Sequence, residues 1–241
     1  GETRTGTAIM KAAADGVRPV SLEMGGKNAA VVFADCDFQV AIDTLTRSCF
    51  ENAGQVCLGT ERVYVERPIF EKVVAALKER AEAMKPGLPF DHDTKIGPLI
   101  SKKHQAKVLG LYKTAKDEGA TIVTGGGPDM PEALQNGSWV QPTIWTGLPE
   151  TATVVTEEIF GPCCHISPFD SEEEVLGKVN ANRYGLATAI FTQDIARANR
   201  LAHQIEVGLC WINAWFLRDL RTPFGGSKQS GIGREGGVHS L

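Results

Sequence analysis

Short apolar runs rich in β-branched residues recur along the chain and alternate with longer stretches in which apolar residues fall every three or four positions. The runs predict strands at 29–33, 62–66, 121–124, 154–155, 186–192 and 208–213. Between them, 68–84 reads as a helix, with Pro68 in its first turn and Phe70, Val73, Val74, Leu77, Ala81 and Met84 on one face. Ser101 caps a second helix that runs to Glu118, with Val108, Leu109, Tyr112 and Ala115 inward, and Gly119 stops it. Asp194 caps a third that ends near Glu206, and 39–52 forms a fourth. Strands alternating with helices in this way predict an α/β fold, a mostly parallel open sheet flanked by helices. The Gly- and Pro-rich stretches 125–131 and 223–237 read as loops rather than linkers, and no internal repeat interrupts the pattern.

Composition narrows the class of partner. A chain of 241 residues, 42% hydrophobic and 22% charged, can bury a core of its own. A net charge of -4 with 25 Lys and Arg spread along the chain leaves no basic face for nucleic acid or an anionic membrane. The longest apolar runs are only about five residues, against roughly 20 for a membrane span. A small molecule or another protein is the expected partner. The six cysteines contain no CxxC pair, and Cys163 and Cys164 alternate faces if they lie in a strand, so neither a disulfide framework nor a zinc site is expected. Reduced thiols and a cytoplasmic location follow as the expectation.

Four segments carry candidate chemistry. Cys57, between Gly54 and Gly59 and after a helix, occupies a tight turn where backbone approaches a ligand, the place for a nucleophile. A lone cysteine in such a composition is more often a small buried hydrophobe, so its partners decide. A nucleophilic thiol is expected to have its pKa lowered. The five histidines are scattered, which disfavours a Cys/His hydrolase, whereas Glu23 stands at a strand end before Gly25 and Gly26 and could serve as a base. In 156–162, Glu158 and Phe160 are two apart; on an extended stretch both point one way, toward a ribose diol and a flat ring. In 213–226, Trp215 and Phe224 could line a tunnel, and Arg218 or Arg221 could clamp a carboxylate, against the alternative of salt bridges with acids such as Asp219. The GxGxxG match at 231–236 follows no strand, and Gly26-Lys27-Asn28 fails the phosphate-loop pattern.

Taken together, Glu-Met-Gly-Gly-Lys (23–27), Gly-Gln-Val-Cys (54–57), Glu-Glu-Ile-Phe-Gly-Pro (157–162) and Pro-Phe-Gly-Gly-Ser-Lys-Gln-Ser-Gly (223–231) resemble the aldehyde dehydrogenase superfamily, in its order and spacing over nearly the whole chain. The resemblance implies Cys57 as nucleophile, Glu23 as general base, and Glu158 and Phe160 beside the nicotinamide ribose and ring of NAD, with Met24 a further cofactor contact and NADP not excluded. Residues 1–6 are similar to the end of the family's cofactor-phosphate loop, which implies Gly1 and Gly6 as cofactor contacts; Glu2 departs from the Ser more often found there. Segment 213–226 is similar to that of the family's 2-hydroxymuconic and 2-aminomuconic semialdehyde branch. That implies an aldehyde carrying a carboxylate as substrate, with Arg218, Trp215 and Phe224 binding it. The resemblance further implies that 1–23 ends an NAD-binding domain and that 24–241 is a catalytic domain without the C-terminal oligomerisation strand. It also implies a homo-oligomer, and a 241-residue piece that is inactive alone.

Overall fold

Residues 29–32 are apolar at four consecutive positions, a pattern that suits a strand whose two faces are both covered. In the computed structural model, which describes residues 1–240 except for the side chain of His239, that is what happens. Ala30 and Val32 pack with Val63, Val65, Phe50 and Leu77 on one side, while Ala29 and Val31 pack with Tyr64, Val179 and Leu201 on the other. Leu241, the last residue of the expected catalytic domain, lies outside the described residues.

The chain runs α1 (Thr3–Asp15), β1 (Leu22–Glu23), β2 (Asn28–Val32), α2 (Phe38–Phe50), β3 (Thr60–Glu66), α3 (Phe70–Glu82), α4 (Lys102–Asp117), β4 (Thr121–Thr124) and β5 (Thr143–Thr146). It continues through α5 (Thr153–Thr156), β6 (Cys163–Phe169), α6 (Glu172–Asn180), β7 (Tyr184–Gly185), β8 (Ala187–Phe191), α7 (Ile195–Gln204), β9 (Leu209–Ile212), β10 (Ser227–Lys228) and β11 (Gly231–Ile232). Seven strands form one sheet in the order β4-β5-β6-β3-β2-β8-β9. Every pairing in it is parallel except β4 with β5. Helices α2 and α3 cover one face, α6 and α7 the other, so the α/β sheet flanked by helices is present as expected.

The caps are where the side chains put them. Ser101 Oγ accepts from His104 N at 3.1 Å, and Asp194 Oδ1 accepts from Ala196 N and Arg197 N at 2.9 and 3.0 Å. Gly119, at φ 95°, follows α4 in a backbone conformation that favours glycine. The pair Val154–Val155, expected as a strand, is instead one helical turn, α5. Its backbone closes locally, Thr156 N to Ala152 O at 3.1 Å and Glu157 N to Thr153 O at 2.8 Å, and both valines are buried beside Val108 and Tyr112 of α4. Two apolar β-branched residues are too few to set a period.

Strand β6 had no counterpart in the expected set because Pro168 and a buried His165 interrupt its apolar run. It is nevertheless central. Cys163 joins the core under α4 and Cys164 the core under α2, on opposite faces of the strand. Among the described residues no group of His, Cys, Asp and Glu could hold a metal ion, and no helix is long and apolar enough to cross a membrane. At the N-terminal end, α1 buries only Gly6, which lies so close to the Met24 sulfur that a Cβ would collide with it. β1 pairs with β11, so the first two residues of the GxGxxG match form the strand that supports Glu23. A Cβ on Gly231 would strike Leu22 O, which explains that glycine without a phosphate.

Candidate active site

Adjacent parallel strands start at the same edge of a sheet, so the segments that lead into them meet there. β6, β3 and β2 are neighbours, and the segments before them, 157–162, 54–59 and 23–27, are the three that the sequence singles out for catalysis and cofactor binding. They converge on a cavity of about 430 Å³ whose walls include Glu23, Met24, Cys57, His104, Glu158 and Phe160. Gly1, Glu2 and Gly25 also line it; Gly6 does not, and touches it only through Met24.

The turn that carries Cys57 is held from several sides. After α2 the backbone takes three left-handed residues in a row, Asn52, Ala53 and Gly54, at φ 53°, 54° and 69°. The first two carry a Cβ, so the conformation costs energy that the surroundings must supply. A Cβ on Gly54 would collide with Gly161 O, so this glycine lets the Cys57 turn press against the segment that carries Phe160. Asn28 Nδ2 donates to Cys57 O at 2.7 Å and to Gly59 O at 2.9 Å, and Trp215 Nε1 donates to Leu58 O at 2.9 Å. Cys57 is the one exposed thiol among six free cysteines, the other five being buried or half-buried.

The electrostatics of that thiol differ from the expected pattern. Surrounding protein pushes the Cys57 pKa up rather than down, and the carboxylates of Glu23 and Glu158 push it further. The thiol thus keeps its proton at neutral pH until a base takes it. Burial also raises Glu23, with Glu235 adding to it, and Glu23 Oε2 is buried with no hydrogen-bond partner among the described residues. An unpaired oxygen on a carboxylate of raised basicity is suited to accept a proton. Burial and the neighbouring Glu61 raise Glu158 to about 7, while the N–H of Gly26, donating to Oε1 at 2.9 Å, pulls the other way.

Gly25 and Gly26 are buried, and a Cβ on Gly25 would overlap the Glu158 carboxyl. Gly25 thereby lets the Glu23 and Glu158 segments approach closely. Phe160 departs from the expected extended geometry, since its φ is 61°. Glu158 and Phe160 reach the same cavity through a left-handed kink, not through strand alternation.

Three groups had no counterpart in the sequence reading. Glu61 is buried, paired with Lys27 Nζ, and accepts from Phe160 N at 2.8 Å and from Ile159 N at 3.1 Å. His104 Nε2 donates to Phe160 O at 2.7 Å, and Lys107 lines the cavity one turn along α4. The SerxxHis spacing at the start of α4 was legible as a cap, but nothing in it pointed to the cavity.

Arg218 and Phe224 are not brought to Cys57's cavity. They line a second one of about 350 Å³, where the guanidinium lies 4.0 Å from the centre of the Phe224 ring. Arg221 makes the alternative contact, a bidentate pair with Asp219. Trp215 is the connection between the two regions: buried, hydrogen-bonded to Leu58 in the Cys57 turn, and in the same core cluster as Phe224.

Comparison with known proteins matches this arrangement to one family. The model of the aldehyde dehydrogenase family matches residues 1–241. Over 242 aligned residues the chain is 66% identical to a 2-hydroxymuconic semialdehyde dehydrogenase of Pseudomonas sp. (strain CF600), covering 100% of this chain and 50% of that protein. It is 57% identical to a 2-aminomuconic 6-semialdehyde dehydrogenase of Pseudomonas sp., covering 49% of it. The structure of the NAD+ complex of an aldehyde dehydrogenase from Bacillus cereus superposes with a TM-score of 0.96 at 41% identity, covering 100% of this chain and 48% of that one. The chain thus spans about half the length of the relatives it matches, and over that span it belongs to the aldehyde dehydrogenase family.

Proposed function

We propose that this chain is the catalytic half of an NAD-dependent dehydrogenase that oxidises an aldehyde to a carboxylic acid through a thioester on Cys57, the preferred substrate being 2-hydroxymuconic semialdehyde. The observation that carries the reading is the convergence of Cys57, Glu23 and Glu158 on one cavity from three sequence-distant segments. The 66% identity to a dehydrogenase named for that substrate supports the choice of aldehyde. Residues 1–23 belong, in this reading, to the end of the cofactor domain, and the complete protein is a cytoplasmic homo-oligomer.

The residues fit the cofactor chemically. Met24 and Phe160 offer apolar surface for a flat ring, and Glu158 is a carboxylate beside them that can accept from a ribose diol. Bound NAD+ supplies the hydride acceptor. The protein's own share is the rest. Cys57 Sγ attacks the aldehyde carbon once its proton has passed to solvent water, and the backbone N–H of Cys57 is a donor for the oxyanion that forms. After oxidation, Glu23 takes a proton from the water that cleaves the thioester, releasing the acid and the free thiol. Arg218 meets the substrate carboxylate from the side of Trp215, in the second cavity.

The test combines thiol labelling with cofactor reduction in the full-length protein that carries these residues. Stoichiometric iodoacetamide labelling of Cys57 is expected to abolish NADH formation from the semialdehyde, and Cys57→Ser is expected to lower kcat by roughly 10⁴-fold or more. Undiminished NADH formation in either case rejects the reading. The 241-residue chain alone is expected to show no turnover.

A further inference from the structure

Within the proposed reaction, which this inference presupposes, the geometry points to the buried Lys27–Glu61 pair as the positioning element that sets the Phe160 kink and thereby the cofactor side of the cavity. Glu61 lies on β3, only four residues after Cys57, yet its carboxylate faces away from the cavity and into the protein. It accepts from Ile159 N at 3.1 and 3.2 Å, from Phe160 N at 2.8 Å, and from Lys27 Nζ. Three donors on two oxygens satisfy the group, which is what a buried carboxylate requires.

The backbone that Glu61 grips is strained. Phe160 is a bulky residue at φ 61°, a conformation that persists only when its surroundings enforce it. Glu61 holds the N–H side of that residue, and His104 Nε2 holds its carbonyl at 2.7 Å. Clamped on both sides, the Phe160 ring and the Glu158 carboxyl two residues earlier keep one relation to the cavity.

Lys27 gives the clamp its second attachment. It follows Gly26, whose N–H binds Glu158 Oε1, and precedes Asn28, whose amide binds the backbone of Cys57 and Gly59. The ion pair therefore links the base, nucleophile and cofactor segments at one buried point. Glu61 is not among the residues that line the cavity; it acts through Phe160 and Glu158, and its negative charge is one cause of the raised Glu158 pKa.

The experiment uses three variants of the full-length protein, with kcat and KM normalised to titrated active sites. Glu61→Asp keeps the charge opposite Lys27 but withdraws the oxygens from Ile159 and Phe160. Lys27→Met/Glu61→Leu removes both charges and every acceptor, so it leaves no buried charge unpaired, although the N–H groups of Ile159 and Phe160 lose their partner. Lys27→Met/Glu61→Gln removes the charges but keeps an acceptor for Phe160 N. The first two are expected to raise KM for NAD+ by about tenfold or more, with the rate of Cys57 alkylation in the absence of NAD+ within about twofold of wild type. The Gln double variant is expected to recover KM to within about threefold. Wild-type KM in either of the first two, or a Gln double variant as impaired as the Leu one, overturns the inference. A wild-type protein inert toward every aldehyde overturns the proposed reaction instead.

Discussion

The Cys57 cavity and the Arg218 cavity are similar in size and opposite in construction. The Cys57 cavity, about 430 Å³, is walled by segments 23–25, 57, 100–107 and 158–160, gathered by adjacent strands of the sheet and by α4. The Arg218 cavity, about 350 Å³, is walled entirely by the stretch from Leu209 to Phe224. In the first, the carboxylates of Glu23 and Glu158 are half-buried and their pKa values displaced upward; left-handed non-glycine backbone occurs beside both, at Ala53 and Phe160 near the first and at Asn213 and Phe216 near the second. In the second, the charged groups are exposed, and Asp219 is drawn below its usual range simply by Arg221. The contrast separates two tasks. A reacting centre needs groups held against their own preferences by distant parts of the chain, whereas a local loop can present a charge to a ligand with little of that support.

The largest expected effect falls on the first cavity. Glu23→Gln keeps the shape of the side chain and removes its basicity, so it is expected to slow steady-state turnover by roughly 10²- to 10⁴-fold. About one equivalent of NADH per active site should still form rapidly, because the thioester is made but not hydrolysed. A variant that loses the burst and the steady state together would place Glu23 at thiol activation rather than at hydrolysis. That outcome would also give the raised Cys57 pKa a direct consequence, since the thiol proton would have lost its acceptor.

A smaller and more selective effect is expected in the second cavity. Arg218 is exposed and stacked on Phe224, so its attraction for a carboxylate is screened by solvent. Arg218→Ala is therefore expected to raise KM for 2-hydroxymuconic semialdehyde by about tenfold, with kcat little changed. A neutral aldehyde of similar size should be affected by less than about twofold. Equal losses on both aldehydes would remove the distinction between the cavities and leave Arg218 as a support for Phe224.

What was legible in the sequence follows the same division. Cys57, Glu23 and Glu158 stand beside glycines, in short motifs whose chemistry can be read locally. Glu61 cannot be read that way. Beside Arg62 in a strand it resembles a solvent-facing charge, and its partner Lys27 is 34 residues away. The close approach at Gly25 is hidden in the same way, a matter of what lies opposite rather than of φ and ψ. Strand β6 was hidden by Pro168 and His165, and α5 read as a strand because two valines carry no period. The alternation of strands and helices, by contrast, is a property of the chain itself, and the α/β class was legible from it.

The smallest effect is a difference in pH dependence between the two cavities. Glu158 has its pKa raised from 4.5 to about 7 in the folded protein, so the folded state holds a proton that the unfolded chain gives up at lower pH. Its stabilising contribution is fully present below 4.5 and is lost as the pH rises through about 7. Glu158→Gln is neutral at every pH and escapes that loss. The variant is therefore expected to gain stability over wild type between pH 5 and 8, by on the order of 2 kcal/mol, read as a Tm difference that grows by several degrees. Arg218→Ala should show no such trend, because a guanidinium stays charged throughout the range. A flat Tm difference for Glu158→Gln would mean that Gly26 N–H, Lys27 and Lys107 together hold the carboxylate ionised, so that the two cavities differ in construction but not in charge state.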